Sequence, residues 1–345
     1  MSSMSSSRGL RVWLLLTSFL IFSMVAIGGL TRLTRSGLSI VEWKPISGVL
    51  PPLNEAEWQA EFEKYQAFPE YQKVNHGMEL HEFKYIFYWE FLHRLLGRMI
   101  GLVFAIPLIV FVWKRQVRGS LARKLAFAFL LGGAQGALGW FMVKSGLVDL
   151  PRVSHYRLAA HLSLALFLMC FLYWIARDLG HAVRLRLSFQ SLPGLLKIFL
   201  GLVIVQIFYG ALTAGLHAGH MYNTFPTMQG LWVPQGIGSL GWVRDFFENP
   251  VTVQFVHRCL GWLTLASALS LGVLALRDRL MNGTARRAVF MISVAVLLQF
   301  TLGALTLIYT VPVALGSMHQ IGACIVLILT VRAYHLFRRH PASYA

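Results

Sequence analysis

Trp89-Glu90-Phe91-Leu92-His93-Arg94-Leu95-Leu96-Gly97 and Val253-Gln254-Phe255-Val256-His257-Arg258-Cys259-Leu260-Gly261 are two versions of one stretch. Each sets a His-Arg pair about two turns inside a long apolar segment. Each is followed downstream by another histidine embedded in apolar sequence, Ala159-Ala160-His161-Leu162 and Ser317-Met318-His319-Gln320. The chain therefore carries two matched pairs of histidines in segments long and apolar enough to cross a bilayer.

Composition agrees with that setting. Of 345 residues, 56% are hydrophobic and only 13% charged, about half the share of a soluble domain. The apolar runs are continuous rather than alternating, which excludes an outer-membrane barrel. They predict an all-α membrane protein with eight spans, near 12–31, 86–113, 124–143, 155–176, 194–214, 254–276, 287–309 and 316–337. The first run is too long for a signal-peptide core and is read as a retained span. No long Arg/Ser-rich transit segment precedes it, which favours a bacterial protein.

The formal charge of +17 raises the question of a nucleic-acid partner, and its distribution answers it. Basic residues gather in the short segments between alternate spans: Lys114, Arg115, Arg118, Arg123 and Lys124, then Arg177, Arg184 and Arg186, then Arg277, Arg279, Arg286 and Arg287, then Arg338 and Arg339. This positive-inside pattern predicts both termini in the cytoplasm, with the inner membrane as the site and no nucleic acid as partner. Cys170, Cys259 and Cys324 all lie in apolar spans, where they read as small packing residues.

The chain reads as two four-helix units in tandem, residues 1–190 and 191–345. Gly28-Gly29-Leu30-Thr31 answers Tyr209-Gly210-Ala211-Leu212-Thr213, and Gly133-Ala134-Gln135-Gly136-Ala137-Leu138 answers Gln299-Phe300-Thr301-Leu302-Gly303-Ala304-Leu305. An even number of spans per unit makes the repeats parallel, related by an axis along the membrane normal. In the first long outer loop, Asn54 is placed to cap a short amphipathic helix carrying Trp58, Phe62 and Tyr65. Residues from Gly77 onward run into the second span.

The four histidines lie on helices running in one direction, each roughly 10 Å in at 1.5 Å per residue. Two axial ligands at one height, given twice, are what two haems require. The halves differ at Glu90, one turn before His93, where the second half has Gln254. A carboxylate in a span costs on the order of 2–3 kcal/mol or more unless paired, so Glu90 points to function. The first half is therefore read as the seat of chemistry and the second as an electron carrier. Arg94 and Arg258 can serve haem propionates or pair with loop carboxylates, and the sequence does not choose. His76, His81, His155, His217 and His220 read as surface or gating residues. His181, His335 and His340 read as interface residues on the basic side.

At these residues the chain resembles the haem A synthase family, through Gly29-Leu30-Thr31-Arg32, Glu90-Phe91-Leu92-His93-Arg94, Tyr156-Arg157-Leu158-Ala159-Ala160-His161, His257-Arg258 and His319. The first loop lacks the cysteine pair of the Bacillus-type members and is similar to that of the proteobacterial and mitochondrial branch. The resemblance implies oxidation of the C8 methyl of haem O to a formyl group, giving haem A for cytochrome oxidase. It implies that His93 and His161 hold the substrate haem, that His257 and His319 hold a haem B cofactor, and that Glu90 is an acid required for activity. The direction of the spans, not the resemblance, predicts that the haem sites lie toward the periplasmic side. Membrane lipid, a haem O synthase, an electron-transfer partner and a homo-oligomer are compatible partners. The alternatives are a di-haem b-type electron-transfer cytochrome, against which all four histidines lying toward one face speaks, and a haem carrier, which needs no acid beside one iron.

Overall fold

A computed structural model describes residues 2–44, 48–146, 153–180 and 191–339. Arg184, Arg186, His181 and His340 lie outside the described residues. Eleven α-helices and one 3-10 turn, Ala218–His220, are formed among the described residues. They are α1 (Ser2–Leu33), α2 (Glu55–Gln66), α3 (Pro69–Lys73), α4 (Leu80–Trp113), α5 (Gly119–Gly146), α6 (His155–Asp178), α7 (Leu192–Gly215), α8 (Trp242–Glu248), α9 (Pro250–Arg277), α10 (Gly283–Ile308) and α11 (Val313–Arg339). Eight are long and apolar enough to cross a membrane: α1, α4, α5, α6, α7, α9, α10 and α11. Their outward faces carry Ile109, Leu130 and Ile198, exposed by 68%, 69% and 71%. So much apolar surface suits hydrocarbon rather than water. The eight spans expected from hydropathy are thus all present, several with helical ends longer than the apolar runs alone suggest.

The chain divides into two compact units, Met1–Leu172 and Tyr173–Ala345. In the first, α1 packs along α4 and α4 meets α5. Ser18 Oγ donates to the carbonyl of Met169 at 3.0 Å and ties α1 to α6. Phe127 meets Phe171 edge-on at 5.9 Å between α5 and α6. In the second unit, α7 packs on α9, α9 on α10, α10 on α11 and α11 back on α7, closing a four-helix bundle.

The long connection of the first unit has a core of its own. Asn54 caps α2, its side chain accepting from Glu57 N–H at 2.9 Å. The apolar stripe Trp58, Phe62 and Tyr65 is buried against Phe83, Ile86 and Phe87. Trp58 meets Phe87 edge-on at 5.0 Å, and Tyr65 stacks on Phe83 at 5.2 Å. This is the capped amphipathic helix that the sequence predicts. Its packing explains why α4 begins at Leu80 rather than near 86. Glu79 and Glu82 form a capping box there, and the extra turns are the surface that α2 covers. His93 therefore lies roughly three and a half turns along α4, while the other three histidines lie about two turns into theirs.

The connection of the second unit is built on hydrogen bonds instead. The buried Asp245 accepts from Gly238 N–H at 2.8 Å, Leu240 N–H at 3.3 Å, Asn249 Nδ2 at 2.9 Å and the Thr252 hydroxyl. Asn249 in turn caps α9 through Val251 N–H at 3.0 Å and donates to the Gly236 carbonyl at 2.8 Å.

Candidate functional site

Each of the four histidines rests on a glycine of a neighbouring helix. A methyl group added at Gly28 on α1 would lie 3.1 Å from His93 Nε2. The same addition would lie 3.2 Å from His161 Cε1 at Gly139 on α5, 3.1 Å from His257 Cε1 at Gly210 on α7, and 2.7 Å from His319 Cε1 at Gly303 on α10. Glycine lets the helices approach closely at these crossings. Each histidine is half-buried: the glycine covers one edge of the ring and leaves the rest available to a ligand.

The four contacts form two matched sets. Gly28 and Gly210 hold the same place in the repeated segments, and Gly139 and Gly303 each follow a repeated glutamine, Gln135 or Gln299, by four residues. Two glutamines repeat in the same way. Gln135 Nε2 donates to the His161 carbonyl at 3.1 Å and contacts the ring Nε2 at 3.3 Å. Gln299 Nε2 donates to the His319 carbonyl at 2.7 Å and contacts the ring Nδ1 at 3.0 Å. Gln206, one turn before Gly210, approaches His257 through its main chain. Its counterpart in the first unit is Met24, whose Cε would lie 3.2 Å from a methyl at Gly97.

His93 and His161 lie within electrostatic reach of one another, and so do His257 and His319. Each unit thus holds two of the four histidines within reach of one another. No cluster of three or more His, Cys, Asp or Glu able to hold a metal ion occurs among the described residues. Each pair offers two imidazoles, the donors that would hold a haem iron. His161 Nδ1 is buried with no hydrogen-bond partner among the described residues, which fits a ring whose nitrogens are not all committed to the protein.

Glu90 is 2% exposed and fully engaged. Arg94 donates to its Oε1 at 2.6 Å, while Ser39 Oγ and Ile40 N–H both donate to Oε2 at 2.8 Å. Arg94 also donates to the carbonyls of Ile40 at 2.8 Å and Glu42 at 3.1 Å. The pair is a latch that fastens the start of the connection onto α4. The second unit repeats the device without the carboxylate. Gln254 donates to the Tyr222 carbonyl at 3.1 Å, and Arg258 donates to the carbonyls of Thr224, Pro226 and Thr227 at 2.7, 3.0 and 3.1 Å. Of the two roles open to the arginines, Arg94 takes a carboxylate, though one on its own helix, and both grip main-chain carbonyls.

Four of the other described histidines have partners or turns of their own. His217 ends α7 in a left-handed turn, and His220 closes the 3-10 turn after it. His81 is an exposed partner of Glu79 at 3.3 Å, and His335 meets Asp178 at 2.9 Å. Cys324 is buried and Cys170 half-buried, as packing residues are, whereas Cys259 is exposed on α9. Gly28, Gly210, Gly303, Gln135 and Gln299 stand in the repeated segments, but the sequence does not say which histidine each touches. Their matched offsets in the two halves are the signal that could have found those contacts.

Fold and site together define a multi-pass helical membrane protein with two pairs of histidines set among its spans. The family described as cytochrome oxidase assembly protein matches residues 11–331. The Heme A synthase of Nitrosospira multiformis is 46% identical over 332 residues, covering 95% of this chain and 93% of that protein. Those of Azorhizobium caulinodans and Paramagnetospirillum magneticum are 48% and 47% identical, covering 94% and 95% of this chain and 92% and 93% of their own length. The chain belongs to the haem A synthase family.

Proposed function

We propose that this chain is a haem A synthase that oxidises the C8 methyl of haem O to a formyl group, giving haem A for cytochrome oxidase. The two glycine-backed histidine pairs, one in each compact unit, are the observation that carries the proposal. The names of relatives matched along almost the whole chain support it. His93 and His161 hold the substrate haem O, and His257 and His319 hold haem B. The two histidine-bearing halves, 1–190 and 191–345, are tandem four-helix units. The histidine pairs lie toward the periplasmic side of the bacterial inner membrane, with both termini in the cytoplasm. A haem O synthase and an electron-transfer partner would supply substrate and exchange electrons.

Conversion of a methyl to a formyl removes hydrogen and electrons and adds oxygen, with a gem-diol losing water at the end. When bound, haem B supplies one-electron transfer. The chain's own residues bind, orient and hold charge, while the oxygen atom and the electron acceptor come from outside it. Gln135 and Gln299 orient His161 and His319, as residues behind a ligand do. Arg94 and Arg258 hold the two connections down at their histidine-bearing helices. Glu90 is the acid of the first site, one helical turn from His93, and its counterpart Gln254 cannot ionise. Because both oxygens of Glu90 are engaged, it takes part in proton movement through its neighbours rather than as a free acid.

The test is expression of the full chain with a supply of haem O, followed by chromatography of the extracted haems. Haem A should accumulate, and His93→Ala or His161→Ala should abolish it. Haem B alone, with haem O unchanged, would overturn the proposal in favour of an electron-transfer cytochrome.

A further inference from the structure

The first unit buries a second carboxyl close to Glu90. Glu70 sits in α3 and is 6% exposed. Its Oε2 is buried with no hydrogen-bond partner among the described residues. Three titratable or charged groups act with it: Glu90 on α4, Arg35 in the connection and Tyr65 on α2. Tyr65 is wholly buried, and its hydroxyl accepts from Asn75 Nδ2 at 2.7 Å. Burial pushes that phenol up, so it stays neutral.

The two carboxyls have opposite surroundings. Glu90 accepts from a guanidinium, a hydroxyl and a main-chain N–H. Glu70 has an oxygen with no donor and an anion nearby. Burial first and the charge of Glu90 second push Glu70 up to about 7, against the opposing pull of Arg35. Of two neighbouring carboxyls in such different environments, the one without donors is the one suited to hold a proton.

We propose that Glu70 is the residue that holds and releases a proton beside the first histidine pair, while Glu90 remains its ion-paired neighbour. Glu70 is a positioning residue for the proton, reaching the site through Glu90, one turn of α4 from His93. The proposal rests on the first pair being the substrate site. The event assigned to Glu70 is its own ionisation, the proton passing to water at the connection and returning.

Infrared difference spectra of the purified full chain, titrated through the neutral range, test this directly. The carbonyl band of one protonated carboxylic acid should vanish with a midpoint near 7 in the wild type. Glu70→Gln should remove that band. Glu90→Gln should keep the band and move its midpoint down by about one pH unit, and Arg35→Gln should move it up by a similar amount, the size a nearby charge produces. In the same preparation, the pH profile of haem A formation should lose its limb near neutrality in Glu70→Gln. If Glu70→Gln does not fold, the opposed shifts in Glu90→Gln and Arg35→Gln still decide. A band that survives Glu70→Gln, or that ignores both neighbours, overturns the proposal and leaves haem A synthesis standing. A wild type that makes no haem A but shows the titrating band strikes the functional reading alone.

Discussion

Gln299 donates from Nε2 to the carbonyl oxygen of His319 at 2.7 Å and reaches the ring Nδ1 at 3.0 Å. One amide thereby fixes both the main chain and the ring of a histidine proposed to bind iron. Gln299→Leu keeps the bulk and removes both contacts. The second site should then lose haem affinity by about 10–100-fold, the usual cost of deleting a residue that orients a ligand. Haem titration followed by absorbance measures this. Gln135→Leu should produce the matching loss at the first site and leave the second spectrum intact.

Gly303→Ala brings a methyl within 2.7 Å of His319 Cε1, and Gly28→Ala brings one to 3.1 Å of His93 Nε2. Alanine alone would favour a helix by about 1 kcal/mol over glycine. Overpacking costs about 1–3 kcal/mol and should win at both positions. Haem content should fall in each variant at its own site, more severely for Gly303→Ala. A more heat-stable variant with full haem would contradict the close contact.

Glu90→Ala leaves the Arg94 guanidinium buried without its anion, although still bound to two carbonyls. Breaking a buried pair costs about 3–5 kcal/mol, and the carbonyl contacts should hold this case to the lower end. The double variant Glu90→Ala/Arg94→Ala should cost less than the sum of the singles. Thermal unfolding gives the energies. Proteolysis within residues 34–79 reports whether the connection has come loose.

The spans, their number and the paired histidines are legible because hydropathy and a polar residue inside an apolar run are both local signals. The helix capped by Asn54 is equally local, since Asn54, Glu57 and the stripe of Trp58, Phe62 and Tyr65 lie within one short segment. Gly28 and Gly139 are not legible in that way. A glycine in an apolar helix carries no sign of which neighbour it meets, and their roles depend on how α1 and α5 face α4 and α6. Glu90 stands out in sequence, but Ser39 and Ile40, which engage it, lie some fifty residues away. Glu70 looks like a solvated loop carboxylate, and only the folding of α2 and α3 over α4 buries it.

Burial of Glu70 also sets a pH dependence. Its folded value of about 7 is above the usual 4.5, so the folded connection binds the proton more tightly than the unfolded one. The stability this contributes is fully present below about 4.5 and is lost as pH rises through about 7, in total on the order of 3 kcal/mol. Protease cleavage within 34–79 should therefore accelerate as pH rises across that window. In Glu70→Gln the rate should stay flat once corrected for the protease's own profile. Faster cleavage toward acid would reverse the sign and remove the effect.

Trp58→Ala deletes a ring that meets both Phe87 and Tyr88, at 5.0 and 5.4 Å. Loss of a buried aromatic costs about 3–5 kcal/mol, enough to detach α2 from α4. Tryptophan fluorescence and cleavage near α2 should both register the change. The haem spectrum of the second site should be unaltered.

All four imidazoles lean on main chain, so the room beside each is dictated by how closely two backbones can come. That leaves little freedom for adjusting colour or redox potential at those crossings themselves. Divergence between the halves has to come one step away, where Met24 in one faces the role of Gln206 in the other and Glu90 stands against Gln254. An engineer wishing to exchange the duties of the two halves would begin with those substitutions and leave the glycines untouched.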